Sequence, residues 1–99
     1  MNVKSMFEFK FSEATREEGL RLAEAIGHDM PSCDGYLEHE VIQDVKDAGH
    51  LMVNTRWGNR QQADAVLSVY INDPKIKRVT ELLGAPPNGF VGGVLPTST

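Results

Sequence analysis

An imidazole and an indole, His39 and Trp57, are the side chains of this sequence with the greatest capacity for chemistry. Both residues fall in stretches that alternate polar and apolar positions, so both are predicted on β-strands. An imidazole exchanges a proton near neutral pH, and an indole stacks well on flat ligands. We predict His39 and Trp57 as catalytic residues of one site, with ordinary core packing as the competing interpretation.

Five further residues are predicted to line a substrate pocket beside this pair. Most aromatic residues at such spacing are core, and a buried imidazole needs a hydrogen-bond partner or a hydrated cavity. A core and a small pocket therefore both remain open from the sequence. The predicted pocket residues are Phe7, Phe9, Val53 and Thr55 on strands, with Tyr70 from a helix.

The pairing of the second and third strands follows from matching their apolar faces across a turn at Lys46–Gly49. In this register the Glu40 carboxylate and the Arg56 guanidinium form a favourable cross-strand pair. The register also brings the two candidate catalytic residues together. The predicted pairs are Val41 with Thr55, His39 with Trp57, and Glu40 with Arg56.

No metal or cofactor is expected. The metal-ligating residue types do not show the spacing that defines a zinc site. Cys33 has no neighbouring cation that would activate its thiol, and the glycines of 89–93 open no helix that could cradle a phosphate. The metal-ligating types considered are His28, Asp29, Cys33, Asp34, His39 and His50.

The composition fits one domain over residues 1–99, with a frayed tail at 96–99. Ten Lys and Arg against fourteen Asp and Glu give a net charge of −4, which argues against nucleic-acid and anionic-membrane partners. One cysteine permits no internal disulfide. No apolar run reaches the roughly 18 residues of a membrane span, and the start is not typical of a signal peptide. A cytoplasmic protein is expected.

The order of predicted elements gives the fold class. A strand over 3–11 precedes a helix that opens at a capping box, Thr15–Glu18. Two strands follow, then a helix capped by Asn59, a short helix capped by Asp73 and ended by Gly84, and a last strand over 90–95. This is an α+β, ferredoxin-like βαββαβ plan with an extra short helix before the last strand.

One face of such a sheet carries no helices. Here that face mixes apolar and charged residues, and a half-apolar face on so short a chain is better covered than hydrated. A second copy is the simplest cover, so we predict a homodimer through this open sheet face. The predicted interface residues are Met6, Ile42, Met52 and Arg56.

Nearly the whole chain resembles the antibiotic biosynthesis monooxygenase family. The resemblance is carried by the element order and by the segments DGYLEHEVIQD, LMVNTRW and NRQQADAVL, with a tryptophan ending the third strand. It implies a dimeric α+β barrel, in which the sheets of two ferredoxin-like subunits face each other. It also implies a pocket between sheet and helices where aromatic substrates are oxygenated without metal or flavin.

Individual residues carry this resemblance unevenly. Trp57 matches the pocket tryptophan, but the family's catalytic asparagine position is Val53 here, and Asn54 is predicted on the opposite face. The helix histidine of haem-handling relatives falls near Val66, which cannot bind iron. Two functions stay open: a cofactor-independent monooxygenase for a small aromatic or hydrophobic molecule, with His39 as proton acceptor, and a non-catalytic ligand-binding or sensing dimer.

Overall fold

The computed structural model describes residues 2–98 and has four antiparallel strands with three α-helices packed on one side of the sheet. The strands are β1 (Val3–Lys10), β2 (Tyr36–Gln43), β3 (His50–Trp57) and β4 (Asn88–Gly93). The helices are α1 (Arg16–Asp29), α2 (Arg60–Tyr70) and α3 (Pro74–Leu83). The predicted ferredoxin-like α+β plan, with its extra helix before the last strand, is confirmed. The sheet is open and does not close on itself.

The sheet has the order β2-β3-β1-β4, so β1 and β3 are central. Successive residues of a strand point to opposite faces, and burial in β1 alternates accordingly: Val3, Ser5, Phe7 and Phe9 are buried, and their neighbours are less so. The buried face packs under the helices. The helices contribute to this core Ala23, Ile26, Ala63, Val66, Ile76 and Val79.

Local side-chain bonds fix the helix ends much as predicted. The Asn59 Oδ1 accepts the Gln62 amide at 2.9 Å to cap α2, and Asp73 caps α3, which Gly84 ends at a left-handed φ of 76°. The capping box at Thr15 is wrong. Thr15 precedes α1 but makes no side-chain cap bond, because its hydroxyl lies 3.1 Å from that of Ser12 instead.

The predicted β2–β3 register is wrong by two residues. The structure pairs Val41 with Val53, His39 with Thr55, and Glu38 with Arg56. The physical reason lies in the connection, because β2 ends at Gln43 rather than Val45. The Asp44 carboxylate accepts the Lys46 amide at 2.8 Å, which turns the chain early. The Asp44 N–H donates to the His50 carbonyl at 2.9 Å, so the turn closes at this pair rather than at Val45 and Leu51. Because the position of the turn sets the register, every pair along the ladder moves.

A bulge at Leu37 adds a second change near the start of β2. Glu38 pairs with Arg56 and Tyr36 pairs with Trp57, so Leu37 has no partner on β3. Tyr36 is thereby moved to the helix side of the sheet, whereas simple alternation predicts it on the other face.

The last described residues form a short turn. Pro96–Ser98 forms one turn of 3-10 helix, and Thr99, the last residue of the predicted frayed tail, lies outside the described residues. Within residues 2–98, no helix has the length and hydropathy needed to cross a membrane.

Candidate functional site

Tyr36 links the two candidate catalytic residues. Its hydroxyl lies 2.7 Å from the His39 Nδ1, and its ring meets Trp57 edge-on with centroids 6.4 Å apart. The prediction that His39 faces Trp57 directly is wrong, because the register places His39 opposite Thr55. Both residues do lie on the helix side, as predicted, and Tyr36 lies between them and contacts both.

Helix α1 approaches β2 closely beside His39. A Cβ on Gly27 would come within 2.8 Å of Val41 Cγ2, too close for any side chain, and 3.5 Å from His39 Cδ2, an ordinary van der Waals distance. Glycine is therefore required by Val41 and not by the imidazole. The His39 side chain is half-buried, with the Tyr36 hydroxyl at its Nδ1.

Trp57 is a core residue by its surroundings. Its side chain is only 2% exposed, and its indole N–H donates to the buried Ser5 hydroxyl at 2.9 Å. The neighbouring Thr55 is equally buried, and its hydroxyl finds no partner among the described residues. Trp57 lines neither of the two larger clefts described below.

An apolar cleft of about 540 Å³ opens between the sheet and helices α2 and α3. Its wall residues are Phe7, Leu67, Tyr70, Ile71, Ile76 and Gly89, with Lys77, Thr80 and Glu81 at the α3 side. The rings of Phe7 and Tyr70 lie 6.3 Å apart and tilted by 54°. The structure thus places two of the five predicted pocket residues in this apolar cleft. The other three, Phe9, Val53 and Thr55, are enclosed in the core.

The Tyr70 hydroxyl is hydrogen-bonded to Asp29, which does not line the apolar cleft. Burial, reinforced by the neighbouring Asp29 carboxylate, raises the pKa of the Tyr70 phenol far above its ordinary range. Asp29 is bound by the Lys75 ammonium at 2.7 Å, and this contact lowers the pKa of Asp29. Asp29 therefore stays ionised and Tyr70 stays a neutral phenol. Two polar contacts, Tyr70 with Asp29 and Asp29 with Lys75, therefore join the ends of α1 and α2 to the start of α3.

A second cleft, of about 560 Å³, lies between α2 and the segment before β2. Cys33, Gln62, Val66 and Val69 are among the residues that line it. Burial raises the pKa of the Cys33 thiol, and the Asp29 charge adds to the effect. The thiol is therefore protonated and weakly nucleophilic at neutral pH, which agrees with the sequence.

An apolar residue occupies the position of the catalytic asparagine that the resemblance implies. Val53 points into the core, and Asn54 lies on the open sheet face opposite Met6 and Glu40. Within residues 2–98, no three His, Cys, Asp or Glu side chains are grouped so as to hold a metal ion.

Two features of the site escape sequence reasoning. The contacts of Tyr36 depend on the bulge at Leu37. The sequence gives one sign of this bulge, two adjacent large residues, Tyr36 and Leu37, at the point where polar and apolar residues should begin to alternate. The apolar cleft depends on how α3 and the segment 86–89 close over Phe7. Helical spacing alone does not place that segment.

Comparison with known proteins bears on the fold. No protein-family model and no curated protein sequence matches the chain. Among solved structures, Rv0793 from Mycobacterium tuberculosis is 21% identical, with TM-score 0.78 and 100% of each chain covered. The "Putative antibiotic biosynthesis monooxygenase from Nitrosomonas europaea" is 12% identical, with TM-score 0.78 over 99% of this chain and 94% of that one. A structure named antibiotic biosynthesis monooxygenase is 18% identical, with TM-score 0.66 over 95% and 99%.

Sequence identities this low support a shared fold but do not support a shared chemistry. The agreement nevertheless extends over nearly the full length of each chain. The resemblance seen in the sequence is confirmed at this level: the chain has the fold of solved structures named as antibiotic biosynthesis monooxygenases.

Proposed function

We propose that this protein takes a small aromatic or otherwise hydrophobic molecule into the apolar cleft and acts on it as a cofactor-independent, monooxygenase-like protein. The observation that carries the proposal is the apolar cleft itself. Its volume of about 540 Å³ falls within the range of about 300–1,000 Å³ typical of small-molecule sites. The tilted rings of Phe7 and Tyr70 offer flat apolar surface, and the fold is shared with structures named as monooxygenases.

In this proposal the protein supplies orientation and exclusion of water, and the substrate supplies the electrons for oxygen. Neither His39 nor Trp57 lines the apolar cleft, and a general base must lie within hydrogen-bond reach of the proton it takes, directly or through one water. The predicted roles of His39 as proton acceptor and of Trp57 as shaping residue are therefore kept separate from binding in the cleft. The Tyr36 hydroxyl lies at the His39 Nδ1, which leaves Nε2 as the nitrogen for any proton transfer.

The second candidate function is ligand binding or sensing without turnover. Val53 in the core and Asn54 on the opposite face favour it, because the strand position of the family's catalytic asparagine then offers no amide to the helix side. The Tyr70 phenol is hydrogen-bonded to Asp29. An apolar cleft with its phenol engaged in this way suits binding by shape and burial alone.

Oxygen uptake with a panel of hydroxylated aromatic compounds separates the two functions. A monooxygenase consumes oxygen in step with product. A loss of kcat of about 100-fold or more in His39→Ala, with little change in the dissociation constant, supports the predicted role of His39 as general base, and an unchanged kcat contradicts that role. Binding without uptake supports the sensing function. Absence of binding by every member of the panel contradicts both.

The homodimer is the second part of this proposal. The open sheet face exposes Ile42 and Phe90, at 42% and 60%. It also holds the Glu38–Arg56 ion pair at 2.9 Å, and the Asn54 Oδ1 there is buried without a partner among the described residues. A second copy would cover the apolar side chains and offer a donor to that oxygen.

Light scattering at micromolar concentration should therefore give twice the 10.9 kDa chain mass. Ile42→Lys places a charge in the proposed interface and should yield folded monomer. Val45→Lys is the matched control, because Val45 is 97% exposed in the loop beyond β2, and it should leave the dimer intact. A wild-type monomer contradicts the proposed interface.

A further inference from the structure

The open sheet face carries a histidine held between two carboxylates. His50 begins β3, and its Nδ1 lies 2.9 Å from Asp44 Oδ2 while its Nε2 lies 2.7 Å from Glu8 Oε2. Glu8 belongs to β1 and Asp44 to the loop of residues 44–49. One imidazole thus connects β1, β3 and that loop, and all three side chains remain about a third exposed.

This geometry suits the imidazolium form only. A neutral imidazole has one N–H and one lone pair, so it can donate to a single carboxylate and turns its lone pair toward the other. The imidazolium donates to both. Hydrogen bonds to Asp44 and then to Glu8 raise the pKa of His50, and the same contacts lower the pKa values of Asp44 and Glu8.

Each carboxylate keeps other partners when His50 is neutral. Glu8 is hydrogen-bonded by the Asn88 side chain and lies near the Lys10 charge, and Lys10 is also the direct cross-strand neighbour of His50. Asp44 accepts the backbone amide of Lys46 and is approached by that of Asp47. Loss of the proton can therefore separate the groups without leaving a carboxylate unsolvated.

We propose that His50 is a proton-operated clamp: protonated, it ties the loop of residues 44–49 to β1, and neutral, it releases one carboxylate and loosens that loop. The clamp borders the open sheet face, since His50 and Asp44 line a small hollow there with Ile42 and Met52. It is independent of the ligand proposed for the apolar cleft.

The sign of the pH effect follows from the direction of each shift. The His50 pKa is raised in the folded state, so its stabilisation is complete below its ordinary value of 6.5 and is lost as pH rises through the raised value. The carboxylate pKa values are lowered, so their stabilisation is present above 4.5 for Glu8 and 3.8 for Asp44. It is lost as pH falls through the lowered values. The clamp is complete between pH 4.5 and 6.5.

An NMR titration of the full chain tests the clamp. The His50 imidazole signals, assigned by their absence in His50→Gln, should titrate with a midpoint above 6.5. Amide exchange in the loop of residues 44–49 should lose about threefold more protection between pH 6 and pH 9 in the wild type than in His50→Gln, the range for partly exposed charged pairs.

Two further variants keep the test decisive. His28→Gln changes an exposed histidine on α1 and should leave the loop protection as in the wild type. Asp44→Asn removes one carboxylate and should lower the His50 midpoint, which also serves if His50→Gln folds poorly. A wild-type midpoint at or below 6.5, or equal pH dependence of loop exchange in wild type and His50→Gln, overturns the clamp.

Discussion

Replacing Trp57 with alanine should lower the free energy of unfolding by roughly 3–5 kcal/mol, the usual cost of removing a large aromatic side chain from a core. The side chain is 2% exposed and its N–H is bound to Ser5, so the variant loses packing and a buried hydrogen bond together. Domains are commonly stable by only about 5–15 kcal/mol. Urea denaturation measures the loss, and Val69→Ala, at a site 68% exposed, is the control with little effect.

A double-mutant cycle identifies the hydrogen-bond part of this loss. Trp57→Phe removes the indole N–H and leaves the buried Ser5 hydroxyl without its donor, at a cost of about 1–3 kcal/mol. Ser5→Ala combined with Trp57→Phe should recover part of that cost, because neither polar atom is then left unpaired. Additive losses in the cycle, or a total loss under about 1 kcal/mol for the alanine variant, contradict the structural role assigned to Trp57.

The second large effect is expected on ligand affinity. Ile71→Asp places a carboxylate in the wall of the apolar cleft and should weaken binding of a small aromatic ligand by roughly tenfold or more, since a charge in an apolar site loses hydration. Ile71 is 69% exposed in the free protein, so the fold should be little affected. Isothermal calorimetry on the compound that binds best measures the change.

Val69→Asp is the matched control for this variant. Val69 lies two residues away near the same helix end, is 68% exposed, and lines the second cleft instead. Any general effect of a new carboxylate at the end of α2 is then common to both variants. Equal weakening by both variants, or weakening by Val69→Asp alone, contradicts binding in the apolar cleft.

The element order could be predicted because each element carries its own local signal. Strict alternation marks β1, and Asn59 and Asp73 supply the helix caps. The β2–β3 register could not be predicted by matching apolar faces. An even shift keeps the same face buried, and the deciding contact is one side chain, Asp44, that ends β2 early.

The site was predictable only in part for a related reason. Tertiary packing decides which members of an apolar face border a cleft, and Phe7 and Phe9 are equivalent by spacing although only Phe7 reaches the apolar cleft. The bulge at Leu37 likewise changes which side chain contacts His39. The predictions of His39 and Trp57 as catalytic residues remain predictions, tested by the oxygen-uptake and stability measurements.

The central claim is that a small aromatic molecule binds in the apolar cleft, and amide chemical shifts measured during an NMR titration with such a compound test it most directly. The account predicts that the shifts concentrate on residues around the cleft, among them Phe7, Tyr70, Thr80 and Gly89, and that Ile71→Asp weakens the response. Shifts concentrated on Cys33, Gln62 and Val66 would instead place the ligand in the second cleft and contradict the account.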